Sequence, residues 1–372
     1  MDISPFLRFM VQKNGSDLFM YPNAPVCVKL SGVVHPLSRD VLSAETVKVA
    51  IFGLLSEAQA EEFVHQLELN FAIKLEDGSR FRVNIFKQRG EYGMVIRYIK
   101  SVIPKMEDLR VPEVFKQIIM EKRGLVLVVG STGSGKSTSL ASMIDYRASH
   151  SPGHILTVED PIEFVYQHKK SIIGQREVGL DTHSYENALQ SAMREAPDVI
   201  LVGEVRSTEI MKAVINFSIT GHLCLTTLHA NNAVGALDRI VNFFPESARA
   251  QLLVDLSLNI KAIVSQRLVK GLDGKLVPAV EVMLNTPYVQ ELIMKGKLDT
   301  VPEAMENGGT TGMRTFDQAL YELYREGLIS AEEAINNADS KNNVSLRIRM
   351  GENRAVTRDD IRGEAKFELK QY

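Results

Sequence analysis

Hydrophobic and polar positions change their period along this chain, and each change marks a different kind of element. From Ser43 to about Leu69 apolar residues recur at helical spacing. Ser43 is placed as an N-cap and Ser56-Glu57-Ala58-Gln59 has the spacing of a capping box, so two short helices are predicted there. Between Phe71 and Ile99 the period falls to two: Phe81, Val83 and Ile85 alternate with Arg80, Arg82 and Asn84, and Asp77-Gly78 supplies a two-residue turn. That pattern predicts an antiparallel meander and makes residues 1–100 a small α+β domain. Ser101 to Pro112, with Pro104 and Pro112 among charges, reads as a linker.

From Gly124 the texture is of short β-branched runs, Leu125–Val129, His154–Val158, Val199–Val202 and Leu223–Leu228, separated by helical segments. Apolar strands with no alternation are buried on both faces, which with intervening helices predicts a parallel α/β sheet. Beyond Tyr288 only amphipathic helical segments follow, among them Phe316–Arg325 and Ser330–Ala338, the latter opened by a second capping-box pattern, Ser330-Ala331-Glu332-Glu333. Residues 341–372, rich in Asn, Arg, Asp and Lys, read as a disordered tail.

Composition narrows the class. The chain has 372 residues, enough for two or three domains, and 43 Lys+Arg against 46 Asp+Glu leave a formal charge of −3. That balance, with no Trp and no basic stripe carrying aromatics, argues against a nucleic-acid partner. Cys27 and Cys224 stand far apart without a CxxC spacing, so neither a disulfide framework nor a zinc site is indicated. No apolar run reaches the roughly 20 residues a membrane helix needs, and Met1–Met20 is broken by Pro5, Arg8, Lys13, Asn14 and Asp17; the expectation is a cytoplasmic protein without membrane insertion.

The chemistry concentrates in one stretch. Gly130-Ser131-Thr132-Gly133-Ser134-Gly135-Lys136-Ser137, followed by Thr138, fits G-x-x-x-x-G-K-[ST] between a predicted strand and a predicted helix, the context that pattern requires. Glycines let backbone N–H groups curl round a phosphate, the helix N-terminus adds positive potential, Lys136 bridges β- and γ-phosphates, and Ser137 is a Mg²⁺ ligand. A triphosphate site needs acidic partners, and two clusters follow predicted strands: Asp198-Val199-Ile200-Leu201-Val202-Gly203-Glu204, delivering Glu204 where a carboxylate holds Mg²⁺ through water, and Thr157-Val158-Glu159-Asp160-Pro161-Ile162-Glu163. His222 and His229 bracket another strand, seven residues apart and hence on opposite faces if it is regular; either is a candidate reporter of the γ-phosphate.

In this order and wording, Gly130–Ser137, Thr157–Glu163, Arg194–Arg206 and Thr220–His229 resemble the Walker A, Asp box, Walker B and His box of the type II/type IV secretion ATPase superfamily. The likeness runs from about residue 10 to 340 and is nearest to the type IV pilus retraction ATPases, the PilT/PilU branch. The short N-terminal domain, the Arg89-Gly90 hairpin before Val95-Ile96-Arg97 and the lack of a tetracysteine motif point that way. The PilT helix Ala-Ile-Arg-Asn-Leu-Ile-Arg-Glu after Thr-Pro is replaced here by Tyr288-Val289-Gln290-Glu291-Leu292-Ile293 after Thr286-Pro287; with the tail, this favours the PilU side of the branch. Ala196 and Ser207 stand where the superfamily usually has Asp, and neither is a phosphate or Mg²⁺ ligand.

The resemblance implies an α/β fold: a RecA-like P-loop ATPase core at 113–287, a PAS-like α+β domain at 1–100 and a helical C-terminal subdomain at 288–340. It also implies an ATP-hydrolysing homohexamer with Mg²⁺, in which Glu163 polarises the lytic water, Glu204 holds Mg²⁺ and an arginine of the meander, Arg82 or rather Arg97, reaches a neighbour's nucleotide. Implied partners are a PilT-type retraction ATPase and an inner-membrane pilus platform protein, with pilus retraction as the work done. The residues leave open a stand-alone PilT-type motor, a type II secretion-like or nucleic-acid translocating hexamer, and a regulator that binds ATP only to assemble; for Arg82, a solvated strand face is the plain alternative.

Overall fold

The structure, a computed structural model, describes residues 1–30, 32–99, 102–308 and 312–351. Two compact units are present. The first comprises Met1–Ile103 with Asp160–Gln167 and Arg176–Ser184; the second comprises Pro104–Glu159, His168–Gln175 and the chain from Tyr185 onward.

In the first unit, helix α1 (Ser4–Gln12), strands β1 (Asp17–Met20), β2 (Pro25–Leu30) and β3 (Val33–Val41), helices α2 (Ala44–Phe52) and α3 (Glu57–Gln66), and strands β4 (Glu68–Lys74), β5 (Arg80–Gln88) and β6 (Glu91–Ile99) follow one another. The strands make one six-stranded sheet in the order β3-β2-β1-β6-β5-β4. Both helix starts follow the sequence signals. The Ser43 hydroxyl accepts from the Thr46 amide, and Ser56 and Gln59 form the full reciprocal capping box, which satisfies amides that have no partner inside the helix. The meander β4-β5-β6 is antiparallel throughout, with Phe81, Val83 and Ile85 buried against α2 and α3 side chains such as Ile51 and Phe63. Strands β1 to β3, and the segments 160–167 and 176–184, were not part of the sequence expectation for this domain.

The second unit opens with α4 (Val114–Ile119) and builds a seven-stranded sheet. Its elements are β7 (Gly124–Val129), α5 (Lys136–His150), β8 (Gly153–Glu159), β9 (Ser171–Glu177), α6 (Tyr185–Ala192), β10 (Val199–Val202), α7 (Thr208–Ile219), β11 (Leu223–Leu228), α8 (Ala233–Phe243), α9 (Glu246–Asn259), β12 (Ile260–Lys270) and β13 (Leu276–Leu284). The sheet order is β13-β12-β7-β11-β10-β8-β9. Strands β8, β10, β11, β7 and β12 run parallel, and every residue of β7, β10 and β11 is buried, as unbroken apolar runs demand. The antiparallel β12-β13 hairpin extends this sheet beyond the four strands read from the sequence.

Helices α10 (Pro287–Met294), α11 (Val301–Asn307), α12 (Phe316–Arg325) and α13 (Ala331–Asn337) complete the unit. The capping box expected at α13 forms by half: Ser330 accepts from the Glu333 amide, but the Glu333 carboxylate accepts instead from the Lys270 amide. The expected tail needs correction as well. Residues 341–351 are helical, and Val344 and Ile348, one turn apart, are buried in a cluster with Phe316, Leu320, Ile329 and Ala334; residues 352–372 lie outside the described residues. Phe316 is fully buried there and the Arg267 guanidinium lies 3.9 Å from its ring centre. Phe316→Ala is expected to destabilise this unit by about 3–5 kcal/mol, lowering its melting temperature by several degrees in a thermal scan; an unchanged melt would contradict the packing described.

Candidate nucleotide site

Parallel strands end on the same side of a sheet, and ligands of open α/β sheets bind at those carboxyl ends. In the second unit the register pairs Val129 with Leu228, and Val202 with both Thr226 and Val158. At that edge stand Gly130 and His229, one residue past β7 and β11 respectively, Glu204, two residues past β10, and Glu159, the last residue of β8.

Gly130–Gly135 forms the loop from β7 into α5. Gly130, Gly133 and Gly135 have φ of +150°, +79° and +91°, which residues with a Cβ rarely adopt, and a Cβ on Gly130 would stand 2.5 Å from the Gln266 carbonyl and from the Ser134 hydroxyl. The loop feeds a 15-residue helix whose first amides have no intrahelical partner, an arrangement that draws anions. Lys136 Nζ donates to the carbonyls of Gly130 (2.9 Å) and Ser131 (2.8 Å), so the lysine lies over the loop. Burial holds its ammonium below the ordinary lysine range, while the Glu204 carboxylate opposes that shift. Ser134 is buried with an unpartnered hydroxyl, Ser131, Thr132 and Ser137 are exposed, and Thr138 lines a neighbouring cavity.

Glu204 stands two residues past β10. One carboxylate oxygen pairs with His229 Nε2 at 3.0 Å and the other with Arg206 Nε at 2.8 Å. Thr227 Oγ1 donates to the Gly203 carbonyl (2.7 Å), tying β11 to the turn that carries Glu204. Glu159, at the end of β8, is buried and accepts from Thr157 Oγ1 (2.7 Å) and Gln175 Nε2 (3.4 Å). Sequence reasoning quoted Glu159 within the acidic cluster but gave it no role.

The histidines separate by strand end rather than by face. His229 joins Glu204, whereas His222 precedes β11 at the amino edge, where its carbonyl accepts from Gly124 and its ring packs edge-on against Phe217. Six strand residues of about 3.3 Å each separate the two ends, roughly 20 Å, so within one chain His222 stands away from the edge that carries Glu204 and His229 and is not brought together with them.

Glu163 is exposed and belongs to the first unit with Arg82 and Arg97. Arg82 and Arg97 are direct cross-strand neighbours in β5 and β6. Each has its own carboxylate: Arg97 Nε donates to Asp17 at 2.8 Å, and Arg82 Nε lies 3.9 Å from Glu177. Glu177 is buried and accepts from the Ile162 amide; burial pushes its carboxyl above the usual range, which that hydrogen bond and Arg82 oppose.

Beside the phosphate-type loop is a cavity of about 620 Å³. Ser134, Gly135 and Thr138 form one wall, Leu268, Leu276 and Pro278 of the β12-β13 hairpin another, and Asp108 and Arg110 line it from the chain before α4. None of the hairpin or Asp108–Arg110 residues was anticipated. The available signal was a polar pair, Ser265-Gln266, inside an apolar run.

Among the described residues no three His, Cys, Asp or Glu side chains gather as a metal cluster. Magnesium sites commonly take one or two protein oxygens and complete their shell with water and phosphate, and the Ser137 hydroxyl and Glu204 carboxylate fit that donor chemistry. Among the described residues no helix is long and apolar enough to cross a membrane.

Comparison with known proteins identifies the family. A family model described as type II/IV secretion system protein matches residues 7–351. The type IV pilus ATPase PilU of Pseudomonas aeruginosa is 50% identical over 352 residues, covering 94% of this chain and 92% of that protein. The type IV pilus retraction ATPase PilT of the same organism is 41% identical over 334 residues, covering 90% and 97%. A crystal structure of the pilus retraction motor PilT with bound ADP superposes with a TM-score of 0.86 at 36% identity, covering 92% of this chain and 98% of that one.

Proposed function

Since the chain belongs to the type II/IV secretion system protein family, we propose that it is a motor ATPase of type IV pili, of the PilU kind, that hydrolyses ATP to drive pilus retraction. The observation that carries this reading is the conjunction, at one sheet edge, of the Gly130–Ser137 cradle with the Glu204–His229 pair. A cradle alone names a phosphate; a carboxylate two strands along the same sheet edge adds a means of cutting it.

In this reading the loop amides and Lys136 hold the β- and γ-phosphates. Ser137 and Glu204 would hold Mg²⁺, which supplies neutralising charge when bound. His229, hydrogen-bonded to Glu204, senses whether the terminal phosphate is in place, and Glu163 of the acidic segment orients the attacking water. The protein works as a homohexamer in the cytoplasm, docked on an inner-membrane pilus platform protein and assisted by a PilT-type ATPase. The altered helix at Tyr288–Ile293 and the 50% identity to PilU favour the accessory role.

Arg82 and Arg97 are proposed to reach a neighbouring subunit's nucleotide. The two guanidinium groups are direct cross-strand neighbours, and each is balanced by a carboxylate of its own unit, Asp17 for Arg97 and Glu177 for Arg82, which a nucleotide phosphate would have to compete with. Arg97→Ala is expected to lower turnover on the order of 10³-fold while ADP binding and the oligomer persist. Turnover within a few-fold of wild type would assign Arg97 to its ion pair with Asp17 alone.

The cellular test is imaging of pilus retraction with this protein as the only retraction motor. Retraction under load only when a PilT-type partner is also present is the expected result. Full retraction alone would replace the accessory role with an independent one, and no effect of deletion in either background would contradict pilus work.

A further inference from the structure

The turn that carries His229 is fastened by side chains from far along the chain. After His229 the backbone passes through Ala230, Asn231 and Asn232 into α8. Arg267 on β12 donates through Nη2 to the Asn231 carbonyl at 3.1 Å. Asp339, just past α13, accepts from Asn232 Nδ2 at 3.1 Å. Glu281 on β13 accepts from the Ala233 amide at 2.7 Å. Three successive residues of the turn are therefore anchored, while the His229 ring itself meets the Glu204 carboxylate.

Two of these anchors are joined. Arg267 Nη2 reaches Asp339 Oδ1 at 2.5 Å, and Asp339 keeps its other oxygen for Asn232, so one carboxylate spans the guanidinium and the turn. Arg267 Nη1 donates to the Asn337 carbonyl at the end of α13 (2.6 Å), and the guanidinium lies on the Phe316 ring of α12. The Asp339 amide in turn donates to Asp317 of α12 at 2.8 Å. A planar fork of donors held on several sides has little freedom to re-aim. Folding stability is a poor reason for the pair, because the Asp339 side chain is 38% exposed and ion pairs so open to water contribute little.

We propose that Asp339, with Arg267, is a positioning residue for His229, holding the turn between β11 and α8 so that the imidazole stays on the Glu204 carboxylate during hydrolysis. The proposal rests on the nucleotide reading given above and adds to it a residue beyond α13 that aligns the site. Turnover is sensitive to such alignment: a displacement of about 1 Å can cost on the order of 10²-fold. Binding of a diphosphate depends instead on the Gly130–Ser137 cradle, which is built on a different loop.

The test is a double-mutant cycle of phosphate release from MgATP by the full-length protein, with ADP affinity by calorimetry and thermal unfolding measured on each preparation. His229→Ala is expected to lower kcat on the order of 10²-fold. Asp339→Ala is expected to lower kcat about tenfold while the ADP dissociation constant stays within about threefold of wild type. In the His229→Ala background, Asp339→Ala is expected to remove less than about a further twofold, since no imidazole is left to position. A merely structural role would repeat the full loss there.

An additive cycle, a natively folded Asp339→Ala protein with wild-type turnover, or a His229→Ala protein with wild-type turnover would each overturn the assignment while leaving the ATPase reading in place. A natively folded wild type that releases no phosphate would overturn that reading and the proposal with it. Should Asp339→Ala fail to fold, Arg267→Lys, which keeps the charge but not the fork, takes its place in the cycle; additivity or wild-type turnover there overturns the proposal.

Discussion

Lys136→Ala lowers phosphate release on the order of 10²–10³-fold or more and weakens ADP binding roughly 10- to 100-fold, with thermal unfolding unchanged. The ammonium lies over the loop on the Gly130 and Ser131 carbonyls, half-buried, where a bound phosphate would replace neutral acceptors with charged ones. The fold does not depend on this side chain. It stands at the surface of the sheet edge, and the helix that follows is held by buried Leu140, Ala141, Met143 and Ile144. Calorimetry and a phosphate-release assay on the same preparation check both halves; wild-type values in either would remove Lys136 from the site.

Glu204→Gln separates binding from chemistry. The substitution keeps the shape at the end of β10 but removes the charge that pairs with Arg206 and His229 and that is proposed to hold Mg²⁺. Turnover is expected to fall on the order of 10²–10⁴-fold, the range for losing a group that acts in the transition state, while ADP binding stays within a few-fold of wild type. The contrast with Lys136→Ala is the informative part. If Glu204→Gln also abolished ADP binding with native unfolding, the carboxylate would be a structural support of the cradle rather than part of the hydrolytic machinery. If turnover stayed normal, another carboxylate would have to take its role, and buried Glu159 on the adjacent strand would be the next to test.

The two variants draw on the part of the molecule most legible in the sequence. The cradle is local: its glycines, lysine and flanking strand and helix fall within about thirty residues, so spacing and conformational freedom suffice to place it. Glu204 was legible because an apolar strand ends two residues before it. The cavity was not, since Gln266 and the β12-β13 hairpin reach it from more than a hundred residues along the chain. Ser265 and Glu281 also interrupted the apolar runs that would have announced those strands. Their mutual hydrogen bond at 2.9 Å explains why they tolerate burial; burial pushes the Glu281 carboxyl up to about 7, against the hydrogen bonds from Ser265 and the Ala233 amide.

Elsewhere the periods themselves misled. Strand β3 is exposed or half-exposed along its whole length, so it has no alternation to read. The histidine reading considered the two faces of β11 and overlooked its two ends, and in a parallel sheet the ends decide what meets the ligand. At 341–351 the polar composition concealed two apolar residues one helical turn apart, Val344 and Ile348, which were enough to dock a helix.

The central claim is that the carboxyl edge of the β12-β7-β11-β10-β8 sheet is a Mg²⁺-dependent triphosphatase site. Inorganic phosphate released from ATP by the purified full-length protein, with and without Mg²⁺ and alongside Lys136→Ala, tests it most directly. The expected result is steady release by wild type that stops when Mg²⁺ is chelated and falls to background in the variant. A natively folded, assembled wild type that liberates no phosphate, or a Lys136→Ala protein that liberates as much as wild type, would contradict it.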